Sequence, residues 1–235
     1  MKYLQNLTCA VKKIVLVFLL TSTPIILMAQ SQQKIVLGLH ADPIISWFSS
    51  DVAVTQNSGA RPGFGFGLTF NSYFASNYSF STGISLVNSG GRLISNSGQP
   101  TILQLSKPTN VASGQSVVYK IQYLTVPLGL KLQTNQIGYM TFFSDIGLDP
   151  KVVVNGKVDI PSLNLTNERA INELNIFNLS YHITAGIEYS MGGNTALVSG
   201  LSFENNFFDI TKDNETQASD KVSHKLLSFR FGINF

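Results

Sequence analysis

From Lys34 onward the chain alternates between runs with an apolar side chain at every second position and stretches rich in turn residues. That spacing belongs to β-strands with one greasy face. The first run, "KIVLGLHA", puts Ile35, Leu37 and Leu39 on one side. The second sets Phe64, Phe66, Leu68 and Phe70 against Gly63, Gly65, Gly67 and Thr69; the third has Tyr78, Phe80, Ile84 and Leu86 in phase. In the fourth, Leu124, Val126, Leu128, Leu130 and Leu132 oppose Tyr123, Thr125, Pro127, Gly129 and Lys131. The fifth, "IGYMTFFSDIGLD", leaves its facing open, because Phe142 and Phe143 occupy both sides. The sixth alternates cleanly from Phe177 to Tyr189, against Asn178, Ser180, His182, Thr184, Gly186 and Glu188. "ALVSGLSFENNFFDI" is the seventh run and "LSFRFGINF" the eighth.

The connections between runs are long, short, long, short, long, short, long. The long ones are Asp42 to Pro62, Asn88 to Ser116, Pro150 to Ile176 with room for a short helix at "NERAINELN", and "TKDNETQASDKVSH". The short ones are "ASN", "TNQ" and "MGGN". An even number of antiparallel strands with both ends on one side sends every long connection to one face, as transmembrane barrels are built. Runs of this length suit tilted strands, which cross the hydrocarbon in about 9–11 residues. The expected fold is all-β: an eight-stranded antiparallel up-and-down transmembrane β-barrel.

Composition strengthens that expectation. Only 12% of the 235 residues are charged while 44% are hydrophobic, with 16 Phe and 19 Gly, yet no long apolar run follows residue 30. Apolar residues spread at period two fit a barrel in lipid. A soluble lipocalin-like or periplasmic ligand-binding barrel would put its charges outside and its aromatics inside. Here that arrangement would give a wet core of Gly, Ser, Thr and Asn, and the opposite one would bare a large aromatic patch to water. A β-sandwich does not call for strictly alternating connection lengths.

Lys2, Lys12 and Lys13 precede the apolar stretch Ile14–Leu20, and Ala29 follows as a small cleavage residue, so residues 1–29 read as a secretory signal peptide and 30–235 as the barrel domain. Without those three lysines the basic residues fall from 16 to 13 and match the 13 acidic ones, so the net charge of +3 belongs to the leader and implies no nucleic-acid partner. Cys9, the one cysteine, leaves with it, so no disulfide or thiol chemistry is expected.

An eight-stranded barrel is just wide enough for side chains to fill it. Lys131, Asp145, His182, Glu188, Glu204 and Arg230 are the expected polar network of the lumen, a structural one, with Arg230 paired to Glu204, Glu188 or both. No catalytic, cofactor or metal site is expected. There is no Gly-x-Ser-x-Gly elbow, and Ser223 and His224 are neighbours on a strand, pointing to opposite faces. Asp209, Asp213, Glu215 and Asp220 have the spacing of an oxygen-ligand loop without its turn glycine, and read as a solvated acidic loop. In the first connection Ile44, Ile45, Trp47 and Phe48 form a candidate interaction surface, a mouth plug or an interfacial belt.

Leu227, Phe229, Phe231, Ile233 and Phe235 form an alternating terminal strand that resembles the recognition signal of the outer-membrane barrel-assembly machinery. "QYLTVPLGLKLQ" (residues 122–133) resembles the Tyr-Leu-x-x-Pro-Leu-x-x-Lys signature of PorT-like outer-membrane barrels of Bacteroidetes-type bacteria. "SDIGLDPKVVVNGK", "FNLSYHITAGIEYSMGG" and "LVSGLSFENNFFDIT" are similar to that family's later strands, so the resemblance spans residues 35–235. It implies an exported outer-membrane protein in contact with outer-membrane lipid. Two roles are expected: a structural or interaction barrel binding a protein or glycan through its outer loops, or an accessory component of protein secretion across the outer membrane.

Overall fold

A computed structural model describes residues 34–212 and 220–235. The expected leader, and Asp213 and Glu215 of the last long connection, lie outside the described residues. The unit Ile35–Phe235 is built on eight long strands: β1 (Ile35–Ser50), β2 (Arg61–Ala75), β3 (Tyr78–Ser95), β4 in two parts (Ser116–Thr125 and Leu128–Gln133), β5 (Met140–Ile160), β6 (Phe177–Gly192), β7 (Thr195–Asn206) and β8 (Val222–Asn234). Each pairs antiparallel with the next, and β8 returns to β1 from Gly38↔Asn234 to Ser50↔Val222, closing an eight-stranded antiparallel up-and-down barrel. Phe235 N–H donates to Leu37 O at 2.8 Å and Leu37 N–H to Phe235 O at 3.1 Å, which extends the closing ladder to the last residue. The long connections lie at one end of the barrel, the loop end, and the short ones at the other, the turn end.

Around the turn-end half, the outward positions are apolar: Ile35, Leu37, Leu39, Phe66, Leu68, Phe80, Leu128, Leu130, Ile146, Ile183, Leu201, Phe229 and Phe231 are all exposed. The inward positions there are His40, Asn71, Ser81, Lys131, Asp145, His182 and Ser202, all buried. The fifth strand's facing is resolved: Phe142 points out, 44% exposed, and Phe143 points in, 7% exposed. The Phe143 ring lies where a Cβ on Gly186 would come within 2.6 Å of its Cζ, and Lys131 Nζ sits 4.6 Å above the ring centre. Glycine at 186 therefore makes room for an aromatic ring in a crowded lumen.

Two expectations need correction. Ile44, Ile45, Trp47 and Phe48 are not in a loop, because β1 continues through Asp42–Pro43 to Ser50. Pairing to β8 is missing only at Asp42 and Pro43 and resumes in the same register at Ile44↔Ser228, while pairing to β2 runs through both residues. A barrel strand has two ladders, and a proline lacks the single N–H that would serve one of them. The segment "NERAINELN" is no regular α-helix; it holds the end of a strand, Leu165–Arg169, and a single 3-10 turn, Ile171–Glu173.

The strands also overshoot. β3 has 18 residues and β5 has 21, beyond the roughly 9–11 a membrane crossing needs. In the surplus the facing rule holds but the residue types swap. β4 keeps its odd-numbered residues inward throughout, yet these change from Lys131 and Thr125 to Tyr123, Ile121, Tyr119 and Val117, while the outward set changes from mostly leucines to Gln122, Lys120, Val118 and Ser116. On β5 a bulge at Val154 shifts the register between Tyr123↔Val153 and Gln122↔Asn155, so that Val158 and Ile160, both fully buried, face in. Phe48, Leu93, Tyr119, Ile121, Tyr123, Val158, Ile210 and Val222 thereby join one apolar core inside the loop end. The lumen is not polar along its whole length as the sequence suggested. Water outside the membrane favours apolar residues inside, as in any soluble protein.

Replacing Gly186 by Val is expected to destabilise the barrel by about 1–3 kcal/mol through overpacking against Phe143 and the Ser199 backbone oxygen. Ala185→Val, one residue along on the outer face, is expected to change stability by less than about 0.5 kcal/mol. Denaturant titration followed by heat-modifiable gel mobility measures both.

Candidate functional site

The lumen carries the chemistry of this chain. At its middle level, Lys151 pairs with Glu204, which also accepts a hydrogen bond from Ser180 Oγ at 2.8 Å. Towards the turn end, Lys131 pairs with Glu188, and Gln133 Nε2 and Asn234 Nδ2 donate to the same carboxylate at 2.8 and 2.9 Å. His182 stands between two carboxylates, Nδ1 2.8 Å from Asp149 and Nε2 3.6 Å from Asp145. On the facing wall His40 Nδ1 is 2.8 Å from Asp42, and Arg230 Nη2 reaches the same carboxylate oxygen at 3.5 Å.

Arg230 thus does not pair with Glu204 or Glu188. Those two are taken by Lys151 and Lys131, and Arg230 lies next to β1, whose Asp42 is the nearer carboxylate. The structure places Lys131, Asp145, His182, Glu188, Glu204 and Arg230 on inward positions, together with four partners that sequence reasoning missed: His40, Asp42, Asp149 and Lys151. Three of those four sit at Asp-Pro steps, Asp42-Pro43 and Asp149-Pro150-Lys151, which read as strand ends. The missed signal was period two continuing across each proline.

His40 Nε2 also lies 3.2 Å from Ser85 Oγ, so Asp42, His40 and Ser85 form a carboxylate–imidazole–hydroxyl relay of the kind that activates a serine. Its surroundings give it another use. The relay borders two cavities of about 20 and 50 Å³, both lined by Arg230 and Asp145. One water needs roughly 10–15 Å³, so an acyl substrate with its flanking groups does not fit. The relay braces β1 against β3 across the intervening β2, and a Cβ on Gly67 of β2 would come within 2.7 Å of His40 Nε2.

The loop end is closed by packing. The hairpin Thr101–Gln104/Pro108–Val111 forms a two-stranded sheet of its own and lowers Leu103, Leu105 and Val111 onto the apolar core, above a cavity of about 60 Å³. Leu174 bridges to Thr211, and Asn175 Nδ2 donates to Asp209 O at 3.0 Å and Thr211 O at 2.8 Å, which ties the third long connection to the fourth. Asp209 turns inward to accept from Thr211 N–H and Val222 N–H, both at 3.0 Å, and burial raises its carboxyl above the usual range. Asp220 accepts from Ser50 Oγ at 3.2 Å. Among the described residues no three acidic, His or Cys groups gather as a metal site.

His224 is fully buried, its ring 5.0 Å from that of Phe48, while Ser223 sits on the opposite face of β8. Of the first-connection residues, Ile44 and Phe48 point into the barrel and Ile45 points out. Trp47 and Phe48 border an open cleft of about 330 Å³ with Ser50, Val52, Gln56 and Asn57. β8 turns Leu227, Phe229, Phe231 and Ile233 outward, and Phe235 is exposed beyond its end.

Glu204→Ala strands Lys151, 3% exposed, without its carboxylate, and is expected to cost roughly 3–5 kcal/mol. Replacing both partners, Lys151→Met with Glu204→Leu, is expected to restore most of that loss, since the unpaired charge causes it. Urea titration of the folded barrel in detergent micelles distinguishes the two outcomes.

The model of the outer membrane protein beta-barrel domain family matches residues 28–212. No curated protein sequence matches the chain. Among solved structures, Neisserial surface protein A is 11% identical at a TM-score of 0.46, covering 87% of this chain and 98% of that one. Ail, the attachment invasion locus protein of Yersinia pestis, is 12% identical at 0.41, covering 87% and 100%; OprG of Pseudomonas aeruginosa is 13% identical at 0.38, covering 85% and 93%. With a family model matched over most of its length, and a closed barrel whose outer face is apolar, the chain belongs to the outer membrane protein beta-barrel domain family and is an outer-membrane β-barrel protein.

Proposed function

We propose that this protein is a sealed membrane platform that works by interaction at its loop end, and that it conducts nothing. The filling of the lumen is the observation that carries this reading. Paired charges occupy its middle and an apolar core occupies its mouth, and the cavities that described residues line there are of about 20, 50 and 60 Å³. Opening a path would require unpairing buried ions and exposing Phe48, Tyr119 and Tyr123 to water, each a cost of kcal/mol size. The cleft beside Trp47 is the surface offered to a protein or glycan partner: it is open, and it joins an aromatic ring to polar groups from Ser50, Gln56 and Asn57.

A PorT-like accessory role in protein secretion, in a Bacteroidetes-type outer membrane, is the second reading, supported by the resemblance of residues 122–133 to that family's signature. In it the barrel contacts secretion components within the membrane plane instead of a ligand above it.

Reconstituted in planar bilayers, the protein is expected to give no stepwise conductance, and discrete open levels would overturn the sealed reading. A photo-crosslinking residue at Asn57, on the cleft rim, is expected to capture a surface partner in intact cells. Capture of secretion-machinery proteins by lipid-facing positions such as Phe66 or Ile183 would favour the accessory role instead.

A further inference from the structure

The outer wall of the loop end carries a row of cations that the lumen does not use. Arg169 on the short strand Leu165–Arg169 pairs directly with Lys157 of β5, and Lys157 pairs directly with Lys120 of β4. Residues opposite one another in antiparallel strands share a face, so the three side chains stand side by side. They stand on the outer face, since Tyr119 and Val158, the next residues along, are buried inside. Like charges placed directly opposite destabilise a sheet. A lone ion pair relieves only one of them: Asp159 pairs with Lys120, and Asn167 fixes both, its N–H donating to Asp159 Oδ1 at 2.7 Å and its Oδ1 accepting from Lys120 Nζ at 3.0 Å. Among the described residues no carboxylate lies within ion-pair distance of Lys157 or Arg169.

Height selects the missing anion. On β5 the last exposed apolar side chain, which marks the edge of the greasy band, is Val154, 46% exposed, three residues before Lys157. At 3.2–3.4 Å per residue that is about 10 Å along the strand, or roughly 8 Å of rise once the barrel tilt is taken out. The headgroup layer is about 5–8 Å deep on each side of the hydrocarbon, and long basic side chains reach down along apolar surface to meet it. We propose that Lys157 and Arg169, flanked by the Asp159-anchored Lys120, form a binding site for the phosphate of a phosphorylated outer-leaflet lipid headgroup. Two unpaired cations beside one fixed by a carboxylate suit a doubly charged phosphate, and guanidinium supplies a planar pair of donors. The site lies on the wall of the barrel and is independent of any partner at the cleft.

The test uses the full chain in nanodiscs doped with bisphosphorylated lipid A or with the same lipid dephosphorylated, with retained lipid counted by native mass spectrometry. The phosphorylated lipid is expected to bind about ten-fold more tightly, and K157Q/R169Q is expected to abolish that preference. K212Q/K221Q, which removes as much charge near β8, is expected to keep it. R169Q alone, on a strand outside the closed ladder, replaces the double variant if that one lacks heat-modifiable mobility, and is expected to lose about three-fold. Equal binding of both lipids, retention of the preference by K157Q/R169Q or R169Q, or equal loss in K212Q/K221Q would overturn the site. Displacement of the lipid by inorganic phosphate at the same phosphate concentration would overturn its assignment to lipid.

Discussion

Hydrocarbon offers no hydrogen-bond partner to a peptide group, so a strand that crosses it must be paired along both edges. The ladder between β1 and β8 is what makes that possible here, since without it two strands would present bare edges to lipid. Closure at eight strands then sets the width of the lumen, and at that width inward side chains are enough to fill it. Phe143 fills the space over Gly186, its partner on the next strand, and Lys131 reaches Glu188, and Lys151 Glu204, past one intervening strand each. Buried ions with no room for bulk water must find one another.

The second ordering influence is the change of surroundings along the strand axis. Where lipid lies outside, the apolar face turns out and polar groups are left for the interior; where water lies outside, the preference reverses. β4 records both regimes in one strand without changing its facing, from Leu128 and Leu130 outward at one end to Tyr119 and Ile121 inward at the other. The molecule therefore combines an ionic lumen with a soluble-type core stacked on it, and the long connections pack into that core through Leu103, Leu174 and Ile210. The same reversal brings Lys120 and Lys157 onto the outer wall just above the lipid band.

Proline and bulge placement shows how such a strand is kept in register. Each Asp-Pro step, at 42–43 and 149–150, sits where one of the strand's two ladders is interrupted and the other continues. The aspartate of each step faces in and meets a histidine, His40 or His182. At Val154 the extra residue reverses the parity of β5, without which Lys157 and Asp159 would enter the apolar core in place of Val158 and Ile160.

Period-two spacing, the sparse charge and the alternating connection lengths were enough to determine the barrel, its strand number and the inward face of six runs, because each is a local property of consecutive residues. The cations and carboxylates of the lumen were legible in part for the same reason: Lys131, His182 and Glu188 fall in unbroken alternation. Which charge meets which was not. Arg230 of β8 beside Asp42 of the adjoining β1, and Lys151 of β5 reaching Glu204 of β7 past β6, depend on which strands closure makes neighbours and on how far each is staggered against the next. The apolar core at the mouth escaped as well, because inward tyrosines and valines look like lipid-facing ones until the position of the membrane boundary along the strand is known. Local alternation names a strand's two faces; only the closed barrel and its depth in the membrane decide what each face meets.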